Sequence, residues 1–162
     1  ALLGERLARE RPGWRVVNAS ISGETTAGGV ARIDAELAEH KPDVVVVELG
    51  ANDGLRGLPL DIAEANLARM ITASQAAGAK VLLVGMEIPP NYGPDYTTMF
   101  RTMFRTLAER HGTALLPFLL EPIARERDAF LDDNLHPTAA AQPRLLEHVW
   151  PALLPVIDAA TP

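Results

Sequence analysis

The stretch Val44-Val-Val-Val-Glu-Leu49 constrains the fold more than any other. Four consecutive β-branched residues are stiff in a helix, and without polar alternation they do not suit a sheet with one wet face. Such a run reads as a central parallel strand covered on both faces by helices. Val81-Leu-Leu-Val84 is a second buried run, and Ala114-Leu-Leu-Pro117 a shorter third. Trp14-Arg-Val-Val-Asn18 reads as one more short strand.

Helical periods fill the spaces between. Residues 1–11 carry Leu2, Leu3 and Leu7 among charges and stop at Pro12-Gly13. Val30, Ile33 and Leu37 share one face of a helix that closes before Lys41-Pro42. Residues 50–59 read as a long turn-rich loop, after which Asp61 and Glu64 form a capping-box pattern for a helix ending near Gly78. Residues 87–93, with Pro89, Pro90 and Gly93, read as loop, and Tyr96, Met99, Phe100, Met103 and Leu107 mark the buried face of the next helix, which Gly112 ends. A last helix spans about 140–157; Pro143 suits its first turn, whereas Pro151 and Pro155 are predicted to kink or fray its end. Strands alternating with helices imply an α/β fold, a three-layer α/β/α sandwich on a parallel sheet, with residues 1–162 as one domain. In such sheets ligands bind beyond the carboxyl ends of the strands. Loops 19–29, 50–59 and 87–93 leave strand ends on that side, so their polar residues are expected to converge.

Charge narrows the partners. A formal net charge of -6, with no run of Lys or Arg, argues against nucleic acid or an anionic membrane surface and suits a small neutral or acyl substrate. The sequence has no cysteine, which removes disulfides, thiolate metal sites and cysteine nucleophiles. No apolar run reaches the ~18 residues of a membrane span, so no stable membrane insertion is expected.

The chemistry concentrates in Asp132-Asp-Asn-Leu-His-Pro137. A carboxylate at hydrogen-bond reach of a histidine fixes the imidazole tautomer and leaves the other ring nitrogen free to take and return a proton. Asp133 lies three residues before His136 and Asp132 four, so either is able to orient it on spacing alone. Pro137 biases His136 towards extended backbone, hence towards a loop. One histidine and two adjacent carboxylates make a poor closed metal site, and no metal is expected. Gly23, in Asn18-Ala-Ser-Ile-Ser-Gly23, and Asn52, in Gly50-Ala-Asn-Asp-Gly54, pair a backbone N–H open to close approach with a neutral amide donor, which together suit an oxyanion hole. His40, His111 and His148 read as structural or surface residues.

Taken in order, these pieces resemble the SGNH (GDSL-type) hydrolases, in particular the bacterial arylesterase and thioesterase I/lysophospholipase L1 branch. Residues 18–23 look like the second family block, Glu48-Leu-Gly-Ala-Asn-Asp-Gly-Leu-Arg-Gly57 the third and Asp133-Asn-Leu-His-Pro137 the last. The resemblance implies hydrolysis of carboxylic esters or acyl thioesters through a serine acyl-enzyme. His136 is then the base, Asp133 its orienting acid, and Gly23 and Asn52 the oxyanion donors, while Leu55, Arg56, Gly57 and Leu58 resemble a mobile loop that contacts the acyl chain. It also implies no cofactor, a monomer or weak oligomer, and a periplasmic or secreted location. The family's first block, Gly-Asp-Ser-Leu, does not occur in these 162 residues, whose serines are Ser20, Ser22 and Ser74. The nucleophile is therefore expected upstream of Ala1, and with it the first central strand, unless another chain complements the sheet. The rival readings are a catalytically inactive binding module of the same fold, and a flavodoxin-like phosphate or nucleotide binder. Against the latter, residues 23–29 lack the Lys-Ser/Thr end of a P-loop.

Overall fold

In the computed structural model, which describes residues 1–160, the apolar runs pair as a parallel sheet. Its strands β1 (Val44–Val47), β2 (Lys80–Val84) and β3 (Ala114–Leu116) lie in that order, with Val45 opposite Val81 and Leu83 opposite Leu115. Helices α1 (Leu2–Glu10) and α2 (Thr26–His40) precede β1. The crossovers are α3 (Ala51–Leu55) with α4 (Leu60–Ala76), then α5 (Pro94–His111), and α6 (Gln142–Ala160) follows β3.

Strand period decides the layers. Successive side chains of β2 point to opposite faces, so Val81 and Leu83 enter one core while Leu82 and Val84 enter another. The first core packs α2, α4 and α5 through Val30, Ile33, Leu67, Ile71, Phe100, Phe104 and Leu107. The second packs α1 and α6 through Leu7, Trp150, Leu153, Val156 and Ile157. This is the expected α/β/α sandwich. Leu67, Ile71, Leu82, Leu83 and Leu107 are fully buried, each stabilising the fold by about 1.5–3 kcal/mol relative to exposure. Phe100 and Phe104 meet edge to face at 5.3 Å, the arrangement their ring quadrupoles favour. Among the described residues no helix is long and apolar enough to cross a membrane.

Several local expectations give way to tertiary context. Residues 14–18 form no strand: no strand lies beside them among the described residues, and Val16 and Val17 stay exposed, so strand-prone chemistry has no ladder to join. Among the described residues β1, expected at the centre of the sheet, lies at its edge, since there only β2 pairs with it and Val46 is 43% exposed. The loop expected over 50–59 contains α3. The Asp61–Glu64 capping box does not form, because α4 begins at Leu60 behind Pro59 and Asp61 already sits in its first turn. There it complements the helix dipole. Met99 is exposed, and Phe104, one turn beyond Phe100, completes the buried face of α5 instead. Finally, α6 continues through Pro151 and Pro155 to Ala160, with Trp150, Leu153, Val156 and Ile157 buried on one face to offset the lost backbone bonds.

Candidate active site

Because the sheet is parallel, every loop that follows a strand opens at its carboxyl edge. The last of these, between β3 and α6, carries the acid and the histidine. It is closed at its base by an antiparallel bridge between Phe130 and Pro137 and by the Leu131 N–H, which donates to His136 O at 2.8 Å. Inside the turn Asp133 Oδ1 accepts the backbone N–H of Leu135 at 2.9 Å and of His136 at 3.0 Å. Its other oxygen, Oδ2, lies 2.6 Å from His136 Nδ1. Asn134 makes the reversal possible by taking a left-handed backbone with φ 57.

Those donors act on the acid. The His136 N–H first, then the His136 ring and the Leu135 N–H, hold the Asp133 carboxyl down at about 2. An ionised carboxylate only accepts, so Nδ1 carries the imidazole proton and Nε2 is left as the acceptor. The ring is 68% exposed, open to whatever approaches from the strand ends. The spacing left Asp132 and Asp133 equal; the turn brings Asp133 to the ring.

The oxyanion candidates belong to a second assembly. Asn52 lies on α3, and its Nδ2 donates to Glu24 O at 3.0 Å. An amide nitrogen has two protons, so this bond orients the group and leaves one donor free. Gly23 turns the chain with φ 77, and its carbonyl accepts from Arg56 Nη2 at 2.9 Å. Behind both lies a buried polar network that the sequence reading missed. Asp53, 3% exposed, accepts the Thr26 hydroxyl at 2.6 Å and the Thr26 N–H at 2.9 Å, and Asn66 Nδ2 donates to Thr26 Oγ1 at 3.0 Å. The turn before α2 and helix α3 are thereby locked together, Gly23 on one side and Asn52 on the other. The only hint in the sequence was an aspartate inside Gly50-Ala-Asn-Asp-Gly54.

Of the four loop residues, Leu55 is the last of α3 and packs partly into the first core, while Arg56, Gly57 and Leu58 are exposed. Two tyrosines hold their backbone: Tyr92 Oη donates to Leu55 O at 2.6 Å and Tyr96 Oη to Leu58 O at 2.8 Å. Gly23, Asn52 and residues 55–58 therefore form one bonded unit. The Asp133–His136 turn is separate from it in bonding and shares with it the carboxyl edge of the sheet.

The pattern of the GDSL-like Lipase/Acylhydrolase family matches residues 1–143. The chain belongs to that family. Among similar GDSL-like proteins, Esterase TesA of Pseudomonas aeruginosa is 53% identical over 157 residues, 97% of this chain and 78% of that protein. Thioesterase 1/protease 1/lysophospholipase L1 of Escherichia coli K12 is 39% identical over 143 residues, 88% of this chain and 69% of that protein. The crystal structure of TesA superimposes with a TM-score of 0.92 at 53% identity, covering 96% of this chain and 86% of that one.

Within this GDSL-like chain the serines stand apart from the histidine. Ser74 is buried in α4 and donates to Met70 O at 2.8 Å, so its hydroxyl is spent on its own helix. Ser20 and Ser22 are exposed on the turn before α2, and among the described residues no serine hydroxyl bonds His136. His148 Nε2 lies 2.9 Å from Phe118 O and His40 Nε2 3.2 Å from Glu36, which are structural roles. Among the described residues no group of three His, Asp or Glu side chains converges on a metal position.

Proposed function

We propose that this GDSL-like chain hydrolyses carboxylic esters and acyl thioesters, with His136 as general base and acid and Asp133 as its orienting partner. The observation that carries the reading is the 2.6 Å contact from Asp133 Oδ2 to His136 Nδ1, which leaves Nε2 as the proton acceptor. The names of the similar proteins, an esterase and a thioesterase/lysophospholipase, support the substrate class.

The chemistry runs in two halves. A serine hydroxyl gives its proton to His136 Nε2 as its oxygen attacks the acyl carbon, and the carbonyl oxygen becomes an oxyanion facing the Gly23 N–H and the free Asn52 Nδ2 proton. Collapse breaks the ester or thioester bond, and His136 returns the proton to the departing alcohol or thiol. Water then repeats the sequence on the acyl-enzyme, releasing the acid and restoring the serine. Residues 55–58 line the acyl chain in this reading, and no cofactor takes part. The nucleophile is proposed to be the serine of a Gly-Asp-Ser-Leu block upstream of Ala1.

Turnover of a p-nitrophenyl ester and of an acyl-CoA, by this chain and by a form extended at its N-terminus with that block, tests the proposal. Hydrolysis by the extended form, lost on His136→Ala, is the expected result. No turnover by either form would overturn the enzyme reading, and turnover by the unextended chain would overturn the choice of serine.

A further inference from the structure

Glu24 stands between the two oxyanion candidates and is bonded towards both. Its N–H donates to Ile21 O at 3.3 Å and so closes the turn in which Gly23 takes φ 77, the left-handed position such a turn demands. Closing the turn fixes the peptide that carries the Gly23 N–H, a donor with no acceptor among the described residues. The Glu24 carbonyl accepts from Asn52 Nδ2 at 3.0 Å and orients that amide.

The Glu24 side chain is itself held by α2. It is 9% exposed, and both carboxylate oxygens are taken by Arg32, whose Nε donates to Oε1 at 3.0 Å and Nη2 to Oε2 at 2.6 Å. Glu36, one turn on, steadies the guanidinium from its other side at 2.8 Å. To reach Arg32 the carboxylate lies across the first turn of the helix, over Gly28, where a Cβ would come within 2.7 Å of Glu24 Cγ. Packing alone does not require this arrangement, because neutral groups of similar volume often replace a partly buried ion pair without loss of stability. A forked two-point contact adds what they lack: it fixes direction as well as position.

We propose that Glu24, clamped by Arg32, is a positioning residue that aims the Gly23 N–H and the Asn52 amide together at one oxyanion. This rests on the hydrolase reading only for the role of those two donors. With the carboxylate seated on α2, the backbone of residue 24 is held from the helix side, so the turn and the acceptor of Asn52 stay fixed relative to each other. Donors fixed in advance stabilise charge as it develops without reorganising. Without the clamp, the Arg56 bond to Gly23 O and the Asp53–Thr26 network still join the elements, so the fold survives while the aim of the donors loosens.

Two variants test it: Glu24→Gln/Arg32→Met, which removes the clamp without leaving a charged Glu24 alone, and Gly28→Ala, which fills the space under Glu24 with a better helix former. In the chain as it stands, nitrogen relaxation is expected to show the Gly23 N–H and Asn52 Nδ2 order parameters falling towards the ~0.6 of a mobile group in both variants, with β2 amides unchanged and no drop in the melting midpoint. In the N-terminally extended form, kcat on p-nitrophenyl butyrate should fall about tenfold with KM changed less than about twofold. In an Asn52→Ala background the same substitutions should cost less than about threefold, since one of the donors they aim is already gone. Unchanged mobility of the two donors, a loss that falls on KM, or equal losses in both backgrounds would overturn the proposal. An extended form that hydrolyses no ester sinks the hydrolase reading instead, and the mobility of the two donors then decides the clamp by itself.

Discussion

Asp53 caps a helix that begins 27 residues before it in the chain, its Oδ2 accepting the Thr26 N–H at 2.9 Å and its Oδ1 the Thr26 hydroxyl at 2.6 Å. Thr25, the N-cap of α2, makes no side-chain capping bond, so the carboxylate of another element takes over that role and complements the helix dipole. Asp53→Ala leaves two buried donors unsatisfied and is expected to destabilise the chain by about 2–4 kcal/mol in urea unfolding. Asp53→Asn keeps an acceptor and should cost less. A loss under about 0.5 kcal/mol for the alanine variant would show the network to be dispensable.

Next to it, Asn52 gives the sharpest prediction about catalysis. Glu24 O holds one Nδ2 proton and aims the other. In the N-terminally extended form of the proposal above, Asn52→Ala should lower kcat by about 10²–10³ with KM little changed, since the interaction forms only as charge develops. Steady-state kinetics on a short-chain p-nitrophenyl ester decide it, and a variant within about tenfold of wild type sinks the oxyanion role.

Acid affects the Asp133–His136 turn later than an ordinary aspartate would suggest. The folded Asp133 carboxyl sits at about 2 against an ordinary 3.8, a depressed value. Its contribution to stability is therefore complete above the unfolded value and is lost as pH falls through about 2. Carbon-detected NMR should show the Asp133 carboxyl titrating near 2, and a midpoint near 3.8 would mean that the turn opens in solution.

Asn134 holds the same turn from the backbone. At φ 57 a glycine is accommodated without strain, whereas a β-branched side chain is not. Asn134→Val is expected to cost about 1–2 kcal/mol and to lower kcat by misaiming His136, while Asn134→Gly stays close to wild type. Matching melting curves and activities for the two variants would rule this out.

Gly85, just past β2, tests how tightly the sheet meets its exit loop. Its N–H donates to Leu116 O at 2.7 Å, and a Cβ built there would meet the backbone carbonyl of Pro117. Because backbone cannot step aside as a side chain does, Gly85→Ala should destabilise by about 1–3 kcal/mol in thermal or urea unfolding.

The parts legible in the sequence are those whose partners lie close along the chain. Val44–Val47 and Val81 to Val84 declare buried strands by composition alone, and Asp133 and His136, three residues apart, meet within one turn. Residues 14–18 were misread because strand chemistry says nothing about whether a neighbouring strand is there to pair with. Spacing alone left Asp132 and Asp133 level and only the resemblance favoured Asp133, which the turn through the left-handed Asn134 brings to the ring.

By itself, then, the sequence determined the α/β alternation, the polar loops at the strand ends and the acid–histidine turn, because each depends on spacing that a few residues enforce. Only the tertiary structure decided that Asp53 serves Thr26, that Glu24 aims Asn52, and that Tyr92 and Tyr96 reach the loop at 55–58. Those pairs lie 27 to 38 residues apart. Their geometry comes from how helices seat on the two faces of one sheet, a matter of side-chain volume and burial across layers that no local pattern records.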